Sequence, residues 1–375
     1  MSYKEKYLKL KKKYIQIKKI QLIGSSMEFK NNGPIFSLLT SEQKNNPEIF
    51  LTANLRIYDY ALQYASDELK KDYNFILKAV KQSVRALEYA SNTLKDNRIF
   101  ILDAIKINGL ALKYANISFK QDRDIILAAI TQNGLALEFA DIYLQQDKEI
   151  VLAAIKKNAF ALEFADISLK KDKEIVLAAI KINGLALEFA DISLKKDKEI
   201  VLAAIKINGF ALQFADISLK QDKEIVLAAI TQNGFALQFA DISLKQDIFF
   251  ILNAVSIDGN ALKYASTNLQ YNYQVVLAAI TKHAFALQYA GDELKEDKEI
   301  VLNFVKINGL ALQYASEELR EDKDIVLAAV TQNGLALKYA QYEKKRDRKI
   351  VLAAVNQNSN ALLYADPEII FAAKI

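Results

Sequence analysis

The chain has 375 residues, 52% of them hydrophobic, with three prolines, one histidine and no cysteine. Disulfide frameworks, thiolate zinc sites and cysteine nucleophiles are therefore excluded, and no apolar run reaches the ~18 residues that would mark a membrane-spanning helix. The net charge of +5 is uneven: residues 1–20 hold eight lysines and one glutamate, about +7, which leaves about −2 for the remainder.

Residues 1–20, MSYKEKYLKLKKKYIQIKKI, space Tyr3, Tyr7, Leu10, Tyr14 and Ile17 alternately four and three apart. That is an a/d seam on a helix, with Lys4, Lys6, Lys9, Lys11, Lys12, Lys13, Lys18 and Lys19 over the other faces. One reading is a helix that packs on the rest of the chain or on a second copy. Another is a basic amphipathic helix that contacts nucleic acid or an anionic membrane, and tyrosine and isoleucine on one face fit both. No apolar core followed by a small-residue cleavage site is present, so a secretory signal is not expected. Gly24, Ser25 and Ser26 punctuate a linker, and residues 1–31 are expected to form the basic helix and that linker.

From residue 32 onward one 25-residue pattern dominates. Residues 172–196 and 197–221 are consecutive copies that agree at 22 of 25 positions. The Ala-Leu pair at Ala186 recurs thirteen times between Ala61 and Ala361 without a break in spacing. Such a fixed period marks a repeat architecture. Residues 32–45 read as a half-unit and residues 46–365 as thirteen units, opened by Asn46-Pro47. Asp366-Pro367 reads as opening a partial copy, 366–375, after a six-residue shortening. Proline fits the first turn of a helix and breaks its interior, so Pro47 and Pro367 suggest helix starts.

Within 172–196, Asp172 reads as a helix N-cap, followed by an apolar face of Ile175, Val176, Leu177, Ala179 and Ile180. Asn183 reads as the N-cap of a second helix, LALEFA. Gly184 reads as a small residue at a close approach, because Val84 and Ala159 replace it elsewhere and a β-branched residue resists positive φ. Asp191 to Leu194 reads as a capped turn whose leucine returns to the core. Two short helices and a turn cannot bury their own apolar face, and stacking solves that. The expected fold is an all-α helical-repeat solenoid of about 13 units. A leucine-rich repeat, the nearest rival at this period, needs a leucine-patterned strand where this chain is rich in alanine and charge.

The pattern D-x-x-[IV]-[IV]-L-x-A-[IV]-x-x-N-G-x-A-L-x-[FY]-A-x-x-x-L-[KR] resembles an α-helical 25-residue repeat family of unknown function. That family occurs in giant DNA viruses of the mimivirus type and in some intracellular bacteria. The start MSYKEKYLKLKKKY also resembles the openings of many proteins of such viruses. The resemblance implies a helical-repeat protein of an infecting agent, found inside the host cell, in its cytoplasm, a viral factory or the virion. It transfers no catalytic residue.

Chemistry-bearing constellations are sparse. His283 occupies a position held by Asn in most copies and reads as a cap variant. Carboxylates that recur in every unit read as caps and solvated faces rather than as a catalytic pair. No enzyme activity and no cofactor or metal are expected. Departures from the consensus carry more information: Ile248, Phe249 and Phe250 follow a cap where most copies continue with Lys-Glu, and Tyr271 and Tyr273 lie nearby. An apolar cluster on an outer face suggests a patch for a protein partner. The expectation is a protein-interaction scaffold or adaptor. The alternatives are nucleic-acid or membrane contact through the lysine arm, and a structural part of a particle that self-associates through its N-terminal helix or its array ends.

Overall fold

The computed structural model describes residues 35–52, 55 and 59–369. The lysine arm and the apolar C-terminal end at 370–375 lie outside the described residues. The chain is an all-α helical-repeat solenoid, and it divides into two compact halves, Met1–Ile182 and Asn183–Ile375.

One repeat of the second half shows how the sequence builds the unit. Asp197 caps the ten-residue α-helix Lys198–Ile207, its Oδ1 accepting from the N–H of Glu199 at 3.0 Å and of Ile200 at 3.4 Å. The buried residues Ile200, Val201, Ala204 and Ile205 recur at the spacing of one helix face. Asn208 then serves two helices. Its N–H donates to the Ala204 carbonyl at 2.9 Å, and its Oδ1 accepts from the N–H of Phe210 at 3.0 Å. Its backbone is extended, with φ −151°, so no left-handed residue is needed. Asn183 caps in the same way, accepting from Leu185 N–H at 3.0 Å.

After Asn208 the chain forms a six-residue 3-10 helix, Gly209–Phe214, where a second α-helix was expected. At ~2.0 Å per residue, six 3-10 residues span ~12 Å against ~9 Å for α, closer to the ~15 Å of the ten-residue helix alongside. The tighter coil therefore lets a short segment match a longer neighbour. Ala211 and Leu212 are fully buried, whereas Phe214 at its end is half-buried rather than core. The expected turn is itself a four-residue helix, Ile217–Lys220, capped by Asp216 and anchored by the buried Leu219.

Within each half, adjacent repeats are joined by a backbone bond at the head of the short helix. Asp216 N–H donates to Lys195 carbonyl at 3.0 Å and Asp241 N–H to Lys220 carbonyl at 3.0 Å. In the first half Ser91 N–H donates to Lys70 carbonyl and Asp141 N–H to Lys120 carbonyl, both at 2.9 Å. Asp366 N–H likewise donates to Lys345 carbonyl at 3.1 Å. Asp366 thus stands at the short-helix cap position of the 25-residue lattice, not at a long-helix cap reached after a six-residue shortening.

The glycine that opens most of the 3-10 helices marks a close approach. A Cβ on Gly109 would lie 2.3 Å from the Ala129 carbonyl oxygen, and one on Gly309 would lie 2.2 Å from that of Ala329. The 3-10 helix of one repeat is pressed against the last turn of the next repeat's long helix. Ala159 and Ala284 occupy the same position and are also buried.

Candidate interaction surface

Where the repeats are regular, the N-terminal edge of the long helices is closed by a ladder of charges. Each capping aspartate uses Oδ1 for its own helix and turns Oδ2 to the first-turn cation of the preceding repeat. In the second half Lys198 Nζ lies 3.0 Å from Asp222 Oδ2 and 2.7 Å from Glu224 Oε2. Lys223 reaches Asp247 at 2.6 Å, Lys298 reaches Asp322 at 2.6 Å and Lys323 reaches Asp347 at 2.7 Å. In the first half Arg98 pairs with Asp122, Arg123 with Glu149, and Lys148 with Asp172 and Glu174.

The hydrogen bonds to Glu224 and Asp222 hold the Lys198 ammonium above the usual lysine range. Burial alone would push the Asp222 carboxyl up, but Lys198 and the N–H groups of Ile225 and Glu224 outweigh it and hold it below the ordinary range. Most of these pairs are well exposed, so each adds little stability. Their consequence is chemical: the recurrent carboxylates and lysines already serve one another.

The ladder stops in the segment 247–297. Ile248 replaces the first-turn cation, and the next cap is Asn272 instead of an aspartate. The same pairing occurs in the first half, where Tyr73 is followed by the neutral cap Asn97. In both places the carboxylate is absent where no cation arrives. Phe249, at the position of Glu224, is 81% exposed, and Ile248 is half-buried. Phe250 is buried, at the position of the core residue Ile225, so it leaves the expected patch and joins the interior. Its ring follows Asp247 by three residues, the position that Ile200 and Ile225 bury after Asp197 and Asp222.

The two tyrosines are partly exposed and packed in specific ways. Tyr273 stacks on Phe304, with ring centroids 5.9 Å apart and planes at 15°. Phe304 is fully buried where other repeats carry alanine. Tyr271 replaces a polar residue such as Gln221, whose Nε2 donates to the next short-helix cap Asp241 at 3.3 Å. Here that next cap is Gly291, and a Cβ on it would lie 2.4 Å from the Tyr271 ring. A ring lying on a glycine has replaced a polar contact.

His283 departs from its expected role as a cap. Its side chain makes no capping hydrogen bond, and its Nδ1 lies 3.0 Å from Asp258 Oδ1 in the preceding repeat. Asp258, standing where most copies have Asn, also accepts from Asn260 N–H at 2.9 Å and Gly234 N–H at 2.7 Å. This junction joins residues 25 positions apart and had no local signal in the sequence.

A second apolar feature runs with the repeat. The first residue of the short helix is an exposed isoleucine at Ile117, Ile142 and Ile167 in the first half, and at Ile192, Ile217 and Ile242 in the second. The stripe ends at Thr267, within the divergent segment. Among the described residues no cluster of His, Asp or Glu is arranged to hold a metal ion, and no helix is long and apolar enough to cross a membrane.

The fold and this surface define a helical-repeat protein with an interrupted, self-satisfied edge. The chain belongs to the family described as domain of unknown function (DUF4116), which matches residues 46–95, 97–145, 147–195, 197–245, 222–270, 247–295, 272–320, 297–343 and 322–370. Each match spans two 25-residue units, and the later ones overlap by one unit, as a 25-residue period requires. No curated protein and no solved structure matches the chain.

Proposed function

We propose that the chain is a non-enzymatic scaffold or adaptor that binds protein partners, working inside a cell infected by a virus of the giant DNA type. The observation that carries this reading is Phe249, 81% exposed in the segment where inter-repeat polar contacts give way to Ile248, Tyr271 and Tyr273. Exposed aromatics of this kind are the residues that dominate protein interfaces. The exposed isoleucines of each half would supply weak contacts, with affinity concentrated at the divergent repeats. The recurrent carboxylates are engaged as caps and ion pairs, which supports a binding role over a catalytic one. The viral setting rests on the resemblance of the repeat and of the lysine-rich start.

The test compares affinity purifications from infected host cells, nuclease-treated, with the full chain, a chain lacking residues 1–31, and Phe249→Asp. A discrete protein partner kept without the arm and lost with Phe249→Asp, at unchanged helicity, is the expected result. Recovery of nucleic acid or lipid alone, lost with the arm, overturns it in favour of a basic anchor. Recovery of the chain only with itself or with particle proteins assigns it a structural role instead.

A further inference from the structure

The 3-10 layer of the second half carries a site of a different kind. Lys263 Nζ lies 5.4 Å from the ring centroid of Phe235, 5.2 Å from that of Tyr264 and 5.8 Å from that of Tyr289. Phe235 stands nearly perpendicular to both tyrosines, at 89° and 6.2 Å from Tyr264 and at 86° and 6.4 Å from Tyr289. Three ring faces therefore enclose one cationic head.

The box arises from one substitution. Edge-to-face pairs 29 residues apart recur along this layer, as in Phe210–Phe239 and Phe285–Tyr314. Phe235 makes that contact with Tyr264 and then a second one, 54 residues on, with Tyr289. It passes the repeat whose corresponding residue is Asn260, where neighbouring copies have Leu or Phe. Asn260 is a smaller, polar side chain than the leucine or phenylalanine of those copies. At the equivalent positions Lys113 and Lys338 lie over the adjacent Tyr114 and Tyr339.

The occupant suits the box imperfectly. An ammonium carries three N–H donors that solvent satisfies at this exposed position, so pressing Lys263 Nζ against ring faces gives up hydration with no hydrogen bond or ion pair in return among the described residues. A trimethylammonium group has no N–H to satisfy and spreads its charge over methyl groups that fit against ring faces, the recognition used by aromatic cages. Lys263 itself is exposed and the three rings are half-buried, so the box opens to solvent.

We infer that Phe235, Tyr264 and Tyr289 form a receptor for a trimethylated lysine of a protein partner, with Lys263 as its resident stand-in. A lysine arm is the ligand favoured over a choline headgroup because a lysine arm already fills the box. The inference deepens the scaffold reading and rests on it, but it uses a surface separate from Phe249. Occupation by Lys263 lowers apparent affinity by the fraction of time the box is filled.

The test titrates a short Gly/Ser peptide bearing one trimethyllysine, its unmodified twin, and phosphatidylcholine vesicles into the full chain, Lys263→Ala, and Lys263→Ala with Tyr289→Leu. Tyr289→Leu keeps apolar packing while removing a ring face, and circular dichroism checks the fold of each variant. Lys263→Ala is expected to bind the trimethyllysine peptide about tenfold more tightly than the native chain, to prefer it to the unmodified twin, and to lose it with Tyr289→Leu. Equal binding of both peptides, no gain in Lys263→Ala, or preference for the vesicles overturns the inference. Any of these with a partner still lost in Phe249→Asp removes the box and leaves the scaffold reading intact.

Discussion

Residues 197–246 and 247–296 are neighbouring pairs of repeats in the same half of the molecule, and they differ in a restricted way. Their cores are interchangeable: Ala211 and Leu212 in one, Ala261 and Leu262 in the other, are all fully buried. Their edges are not. The first pair holds its neighbours with Lys–Asp and Gln–Asp contacts, the second with Ile248 beside a neutral cap, Tyr271 on Gly291 and Tyr273 on Phe304. Stacking fixes the interior of a repeat, and the inter-repeat edges are where a chain of near-identical units is free to acquire a binding surface.

If the cores are equivalent, Leu212→Ala and Leu262→Ala should cost alike, about 2–5 kcal/mol each, in urea unfolding followed by circular dichroism. A gap of more than about 1 kcal/mol between them would mean that the divergent repeats are packed differently inside as well. Gly291→Asp, which restores the consensus cap, should cost about 1–3 kcal/mol because it collides with the Tyr271 ring. Adding Tyr271→Gln should return most of that loss by recreating the Gln221–Asp241 contact. Additive costs would show that the ring and the glycine are not a matched pair.

Rebuilding the charge ladder across the break, with Ile248→Lys, Asn272→Asp and Gln274→Glu together, should raise the melting temperature by only about a degree or two, and less at high salt. Acid should act on the regular repeats. Asp222, Asp322 and Asp347 are held below the ordinary carboxylate range although burial pushes each up, because a lysine and backbone N–H groups outweigh it. Their folded pKa is depressed, so their contribution is present above the unfolded value near 3.9 and is lost as pH falls through the folded one. Melting temperatures measured from neutral pH down into that range should fall, and Asp222→Asn, which copies Asn272, should flatten the slope slightly.

Much of this organisation was legible in the sequence because it repeats. The 25-residue period, Asp and Asn as caps, the buried Ala-Leu pair and the tight approach at Gly184 each had a local signal. The 3-10 helix did not, since burial of Ala186, Leu187 and Ala190 is compatible with either coil. Phe250 was misplaced because its apolar neighbours hid its register relative to Asp247. The place of Asp366 had no such signal, because proline after a cap suits the start of a long helix as readily as that of a short one, and only the bond to the Lys345 carbonyl distinguishes them. The Asp258–His283 junction joins residues 25 positions apart, and the box brings Phe235 and Tyr289 to Lys263 from 28 and 26 positions away, so only the stacked structure brings them together. Of the candidate patch, Phe249 was found by its break with the pattern, whereas the isoleucine stripe escaped notice because it obeys the pattern.

Within the second half, the contacts that link one repeat to the next where the ladder is intact are of one kind: the backbone bond at the short-helix cap and the first-turn lysine to the following aspartate. Excision of residues 222–246 would therefore create no new kind of junction: Lys198 would take Asp247 as Lys223 holds it now, and Ser266 N–H would find the Lys220 carbonyl in place of that of Lys245. The length of such a chain is adjustable in whole steps of 25 residues. Recombination between near-identical copies can reposition Phe249 and the Lys263 box along the array; in this excision Phe210, one repeat earlier at the same position, would stand where Phe235 stood.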